Sequence, residues 1–325
     1  MLFVTNRQPK QSARTRVGRR FTFDLDSNAA CNSVFYCDRV DSGECSEVGS
    51  LGFHAALKDS GYRQILVYIH GFSNLPDAVF EATEELQRLC DGEKEHEVLV
   101  VPMIWPCDND RGIVGDYWDD QKAADQSAFS FARVLQKFLA WRGDERHNPA
   151  SAPCLKRINV LAHSMGNRVL RQTLVAWQKY DLAGGVPQIF RSAFLVAADV
   201  VNESLEKGRP GEHICNSARN VVVYYASDDL ALRGSKVANL KNSIASRRLG
   251  HSGPEDIALA PKNVFAVDCD DVNTAYDMPK GHSYFRSGKT KGQPGVVFSH
   301  IFQTLLSGRV FPDDELRRTS ILRDG

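Results

Sequence analysis

From residue 64 onward the chain alternates short, nearly unbroken apolar runs with longer stretches of helical periodicity, and few folds accept that order. QILVYIHG, EVLVVPMIWP, RINVLA, IFRSAFLVAAD, NVVVYYAS and NVFAVD read as strands buried on both faces, because polar residues seldom interrupt them. Helical patterns separate them. NLPDAVFEATEELQRLC is one. Between Asp119 and Trp141, Phe131, Leu135 and Phe138 fall at i, i+4 and i+7, an apolar stripe facing a core. Leu170, Leu174 and Trp177 repeat that spacing after RINVLA, and GVVFSHIFQTLLSG closes the series. Parallel neighbours require crossover connections, so the order strand, helix, strand predicts an α/β architecture: a mainly parallel, doubly wound sheet with helices on both faces.

The first sixty residues differ. FTFDLD and SVFYCDRV alternate more strongly and read as antiparallel edge strands. One domain over residues 1–311, with its core at about 60–310, accounts for these elements, and residues 312–325 read as a charged tail. CDNDRGIVGDYWDD, RGDERHNPASAP, RGSKVANLKNSIASRRLGHSGPED and RSGKTKGQPG read as irregular insertions.

Composition narrows the functional classes. Forty basic and forty acidic residues cancel, which removes the electrostatic case for a nucleic-acid partner. No segment approaches the ~18 apolar residues of a membrane span, and MLFVTNRQPK has no secretory apolar run, so the expected location is cytoplasmic. Eight cysteines without CxxC pairs read as reduced core thiols. Cys31, Cys37 and Cys45 cluster, but no histidine or further cysteine stands at ligand spacing, so no metal is expected.

In open parallel sheets, ligands bind beyond the carboxyl ends of the strands. The predicted strands deliver His70, Gly71 and Phe72 at one end, His163 and Ser164 at the next, then Asp199, then Asp228 and Asp229, with His282 after the last. That set holds a nucleophile, acids and a base. A serine hydroxyl is a poor nucleophile until a histidine takes its proton and a carboxylate holds that histidine in one tautomer. Ala162-His163-Ser164-Met165-Gly166 is close to the strand-to-helix elbow G-x-S-x-G, with alanine in place of the first glycine. Serine is also a common helix N-cap, so the pentapeptide alone leaves both readings open. The order Ser164, Asp229, His282 favours the nucleophile, since one hydrolase architecture places nucleophile, acid and base in that order.

These residues resemble the α/β-hydrolase superfamily: VYIHGF for the oxyanion loop, AHSMG for the nucleophile elbow, SDDLAL and GHSYF for acid and base. The similarity spans roughly residues 1 to 305. FVTNR, IWP, AADV, ASDDLAL and SRRLGHSGPED look like a bacterial branch known as an alpha/beta hydrolase domain of unknown function. The resemblance implies Ser164 as nucleophile, His282 as base and Asp229 as acid, with the backbone N–H groups of Phe72 and Met165 as the oxyanion hole and no cofactor. Asp199 is the alternative acid, or a supporting residue beside His70 and His163. His300 reads as a satisfied helix residue, and His251 as a residue near the pocket.

Two smaller readings stay open. Trp105, Tyr117 and Trp118 form an aromatic wall over the site or belong to the core. Arg233, Lys236, Lys241, Arg247 and Arg248 orient an anionic substrate or lie on a solvated face. The chemistry expected is hydrolysis of a small-molecule carboxylic ester through an acyl-serine. Thioesterase and acyltransferase use the same triad, and a non-catalytic binding or regulatory module would keep only the fold. Protein partners are not legible.

Overall fold

The structure, a computed structural model, describes all residues except 111, 183, 234–246, 313–316 and 325, and the side chain of residue 113. Its centre is one sheet of eleven strands: β1 (Leu2–Arg7), β2 (Arg20–Phe21), β3 (Ala30–Arg39), β4 (Cys45–Glu47), β5 (Gln64–Ile69), β6 (Val98–Ile104), β7 (Arg157–His163), β8 (Phe190–Val196), β9 (Ala218–Tyr225), β10 (Val264–Asp268) and β11 (Thr319–Ile321). The spatial order is β11-β10-β9-β8-β7-β5-β6-β1-β3-β4-β2. From β11 through to β1 every pairing is parallel, and β3, β4 and β2 close the other edge antiparallel. All six apolar runs are strands, and the N-terminal antiparallel edge is present.

Successive strand side chains point to opposite faces, so the sheet supports two cores. Ile65, Ile69, Val160 and Ala162 face one side. It is covered by α1 (Gly49–Asp59), α3 (Gly112–Arg142) and α4 (Gly166–Asp181). Leu66, Tyr68, Leu161 and Val222 face the other, with Leu86 of α2 (Pro76–Glu93) and Phe298 of the closing helix Val296–Ser307. The helices bury the stripes their periodicity predicts: Val79, Phe80, Leu86 and Leu89 on α2, and Val169, Leu170, Leu174 and Trp177 on α4. Each such side chain contributes ~1.5–3 kcal/mol by leaving water.

Three expectations are corrected. CDNDRGIVGDYWDD is not wholly irregular, because α3 begins at Gly112 and includes GDYWDD. Buried contacts made by Tyr117 and Asp120 hold that polar stretch. The stretch beyond Pro312 is not simply a tail: Thr319–Ile321 adds parallel strand β11 to β10. Arg318 anchors it by donating to the carbonyls of Ile257, Ala260 and Pro261. FTFDLD contributes only Phe21 to the two-residue β2, plus an isolated bridge from Phe23 to Pro9.

The register brings the functional residues to one level. Ile69 lies opposite both Met103 and Ala162, and His163 lies opposite Val196. The carboxyl ends of β5, β6, β7 and β8 therefore finish together.

Candidate active site

Four non-glycine residues among those described have positive φ, and three follow these adjacent strand ends: Ser73 (φ 58), Ser164 (φ 54) and Ala197 (φ 46). A left-handed conformation costs an L-residue ~1–3 kcal/mol and persists only where surrounding structure enforces it. Ser164 is enforced from several sides. Its N–H donates to the Val196 carbonyl (3.0 Å), and its carbonyl accepts from the N–H groups of Asn167 (3.1 Å) and Asp199 (3.2 Å). The buried Asn167 amide donates to the carbonyls of Ala162 (2.9 Å) and Ser164 (3.1 Å). Sequence reasoning passed over Asn167; its signal was a buried-type amide directly after the elbow glycine.

Two glycines permit the close approach. A Cβ on Gly166 would lie 2.4 Å from the Ile69 carbonyl oxygen, so only glycine lets α4 start so near β5. A Cβ on Gly71 would lie 2.9 Å from the Ser164 Cβ, so the loop after β5 passes directly against the serine.

That loop is braced by His70, as its sequence position suggests. The His70 ring is fully buried and stacks on Trp105, with centroids 5.1 Å apart. Its Nε2 accepts the Trp105 backbone N–H (3.1 Å), which assigns the proton to Nδ1, 2.8 Å from the Gly71 carbonyl. Burial pushes its pKa down to about 4, so the ring is neutral. Trp105 is thus a core residue that returns Nε1–H to the His70 carbonyl (2.9 Å). Asp120 and Asn74 complete the loop. The Asp120 carboxylate accepts the N–H groups of Ser73 (2.8 Å) and Asp108 (3.1 Å), and Asn74 donates to the Phe72 carbonyl (2.8 Å). Among the described residues, neither the Phe72 nor the Met165 backbone N–H has a protein acceptor.

Asp229 lies beyond β9 and His282 beyond β10. Asp229 Oδ2 is 2.6 Å from His282 Nδ1, and its Oδ1 accepts the Leu232 N–H (3.0 Å). Asp277 Oδ2 fixes the other side of His282 by accepting its backbone N–H (2.8 Å) and that of Ser283 (2.7 Å). His163 donates from Nε2 to the His282 carbonyl (3.1 Å), and the two rings are 4.7 Å apart. Burial, reinforced by the neighbouring His282, holds His163 well below the ordinary imidazole range. No hydrogen bond joins His282 to the Ser164 hydroxyl among the described residues. Such links are commonly long in unliganded sites and tighten when substrate binds.

Among the described residues Asp199 faces Tyr117 and Arg248 rather than His282. Its Oδ2 accepts the Tyr117 hydroxyl (2.8 Å), and its Oδ1 lies 3.2 Å from Arg248 Nε, an ion pair not aligned as a hydrogen bond. Tyr117 is therefore buried beside the site, edge-on to Phe72, rather than an exposed wall, while Trp118 is half-buried. Asp228 turns away to Asn273. His300 is satisfied by the Tyr224 hydroxyl and the Phe311 carbonyl, and His251 contacts Ser252. Arg248 is buried, contrary to a solvated-face reading. Arg233 is exposed, and Lys236 and Lys241 lie outside the described residues.

All eight cysteines are free and buried. Asp108, Asp110 and Asp116 bring carboxylate oxygens within 4.8 Å of one another, an arrangement common in exposed acidic groups without a metal. No described helix is long and apolar enough to cross a membrane.

A parallel sheet with an enforced left-handed serine between strand and helix, flanked by an Asp-His pair, defines the class: an α/β hydrolase fold with its strand-end site. The chain belongs to the family described as alpha/beta hydrolase of unknown function (DUF900), whose model matches residues 50–290. No curated protein matches it in sequence. Among solved structures it is similar to phospholipase PlaB from Legionella pneumophila, at 13% identity and TM-score 0.29, over 67% of this chain and 41% of that one. The chain thus spans about two-fifths of the phospholipase. It is also similar to a lipase-esterase related protein from Clostridium acetobutylicum ATCC 824, at 10% identity and TM-score 0.24, over 81% of this chain and 85% of that one. Likenesses this distant carry no argument about activity.

Proposed function

We propose that the protein is a serine hydrolase acting on carboxylic esters through an acyl-serine at Ser164. The observation that carries this reading is the 2.6 Å Asp229–His282 contact beside the strained serine. Asp229 holds the His282 Nδ1 proton, leaving Nε2 to accept the proton from Ser164 Oγ as that oxygen bonds to the ester carbon. The carbonyl oxygen, now an oxyanion, is received by the unpaired N–H groups of Phe72 and Met165. Collapse breaks the bond to the alcohol oxygen, which takes the proton from His282. Water then repeats the sequence on the acyl-serine, with His282 as base, and releases the acid.

The same triad serves thioesters or acyl transfer; pocket and acceptor decide between them. A second reading, a binding module that keeps the fold without chemistry, draws on the absent His282–Ser164 hydrogen bond. Hydrolysis of p-nitrophenyl esters from acetate to palmitate separates the two. Turnover abolished by Ser164→Ala and by His282→Ala supports the hydrolase and sizes the acyl pocket. A folded native chain with no turnover on any ester supports the module.

A further inference from the structure

Seven residues past Ser164, on α4, Arg171 has no side-chain hydrogen bond or ion pair among the described residues. Arg168 and Arg171 stand in the first two turns of α4, which starts two residues after Ser164, and side chains there lean toward the helix N-terminus, so both guanidiniums are carried back toward the elbow. Arg168 is committed to a bidentate pair: its Nε and Nη2 each donate to the Asp125 carboxylate of α3 at 2.8 Å. Arg248 is committed to Asp199. Three guanidiniums thus face two carboxylates, and Arg171 is left over. It is half-buried, its Nε is buried without a partner, and it makes no hydrogen bond or ion pair among the described residues. A cation withdrawn from water without a counter-charge is costly, and a bound anion offsets that cost. Burial and the adjacent Arg168 push its pKa down to about 10, which still leaves it charged at neutral pH. Asp199, the ion-pair partner of Arg248, donates its backbone N–H to the Ser164 carbonyl, so the Arg248 end of the cluster adjoins the serine.

We propose that Arg171, with Arg248 behind it, is an anion-binding subsite of the Ser164 site, and that the substrate is an ester whose acyl or alcohol portion ends in a carboxylate or phosphate. This rests on the serine hydrolase reading for its catalytic part. Arg171 lies five residues into α4 from Gly166, roughly 8 Å along the axis, so the anionic group sits several bonds from the scissile carbonyl.

The test pairs kinetics with direct binding. p-Nitrophenyl half-esters of succinate, adipate, suberate and sebacate are compared with the neutral esters of matching length, alongside a long-chain acyl glycerol 3-phosphate. The expected result is a KM at least about tenfold lower for one anionic ester than for its neutral match, a preference removed by Arg171→Gln and partly kept by Arg171→Lys. The neutral ester is the internal reference in each variant, so the readout is the ratio of charged to neutral KM within one chain. Preference for the half-ester identifies a carboxylate, and preference for the glycerophosphate a phosphate. Equal KM values for charged and neutral esters, unmoved by Arg171→Gln, overturn the subsite while leaving the hydrolase intact. Calorimetric titration of the native chain with suberate and with glycerol 3-phosphate decides the matter if no ester is turned over. Binding lost in Arg171→Gln supports the subsite, and no binding of either anion overturns it.

Discussion

Asp229 Oδ2 lies 2.6 Å from His282 Nδ1, whereas Asp199, which ends the neighbouring strand, is held by Tyr117 and Arg248. Both carboxylates sit at strand ends, the sequence favours Asp229 with Asp199 as the alternative, and Asp229 is the one that touches the histidine. Replacing Asp229 by Asn keeps the shape but offers His282 the wrong partner, so kcat should fall by about ten-thousandfold. Asp199→Asn should lower kcat far less and show itself mainly as a lower Tm. Steady-state kinetics on one ester with both variants checks the assignment, and a larger kcat loss at Asp199 reverses it.

Glycine at 166 is a packing requirement. Gly166→Ala places a Cβ 2.4 Å from a backbone oxygen that cannot swing away, so α4 must shift from β5, at a cost of ~1–3 kcal/mol. Gly71→Ala meets the Ser164 side chain instead, and should lose activity with a smaller loss of stability. Urea melts and ester turnover on the two variants should separate in that order.

Asn167→Ala removes an amide that ties the elbow to β7. Buried carbonyls left without that donor cost ~1–3 kcal/mol, and the strained Ser164 conformation loses a support. A lower Tm together with slower acylation is expected. A variant as stable and active as the native chain would show that the elbow holds its shape without it.

Acid should destabilise the fold through its buried histidines. Burial pushes His54 and His70 each down to about 4 in the folded state, against about 6.5 unfolded. The unfolded chain then binds protons that the folded chain refuses, so stability is full above pH 6.5 and falls as pH drops toward 4, by roughly 3 kcal/mol per histidine. His54 lines an apolar cavity of about 80 Å³ and its Nδ1 has no partner, so His54→Leu should flatten the pH dependence without harming the site. Urea melts at pH 7 and pH 5 on both chains read this directly.

The central strands and the elbow were legible because their physics is local. A parallel strand buried on both faces must be a continuous apolar run, and a serine between such a run and a helix announces its turn. What escaped was held by distant partners. The GDYWDD stretch of α3 reads as acidic loop until Asp120 is seen receiving the N–H groups of Ser73 and Asp108. Thr319–Ile321 is too short and polar to read as a strand, and becomes one because Arg318 pins it against β10. Arg248 reads as one more loop cation, and only the fold brings it to Asp199.

That terminal strand also makes a prediction. Removing residues 317–325 strips β11 and exposes the edge of β10, so the truncated chain should melt lower and aggregate more readily than the full one. Light scattering during a thermal ramp measures both, and an unchanged profile would show β11 to be dispensable.

The central claim, an activated serine at 164, is tested most directly by incubating the native chain with a fluorophosphonate and reading its intact mass and modified peptide. The account predicts one adduct, on Ser164, absent from Ser164→Ala and strongly slowed in His282→Ala. A folded native chain that takes no adduct, or an adduct undiminished in Ser164→Ala, would contradict it.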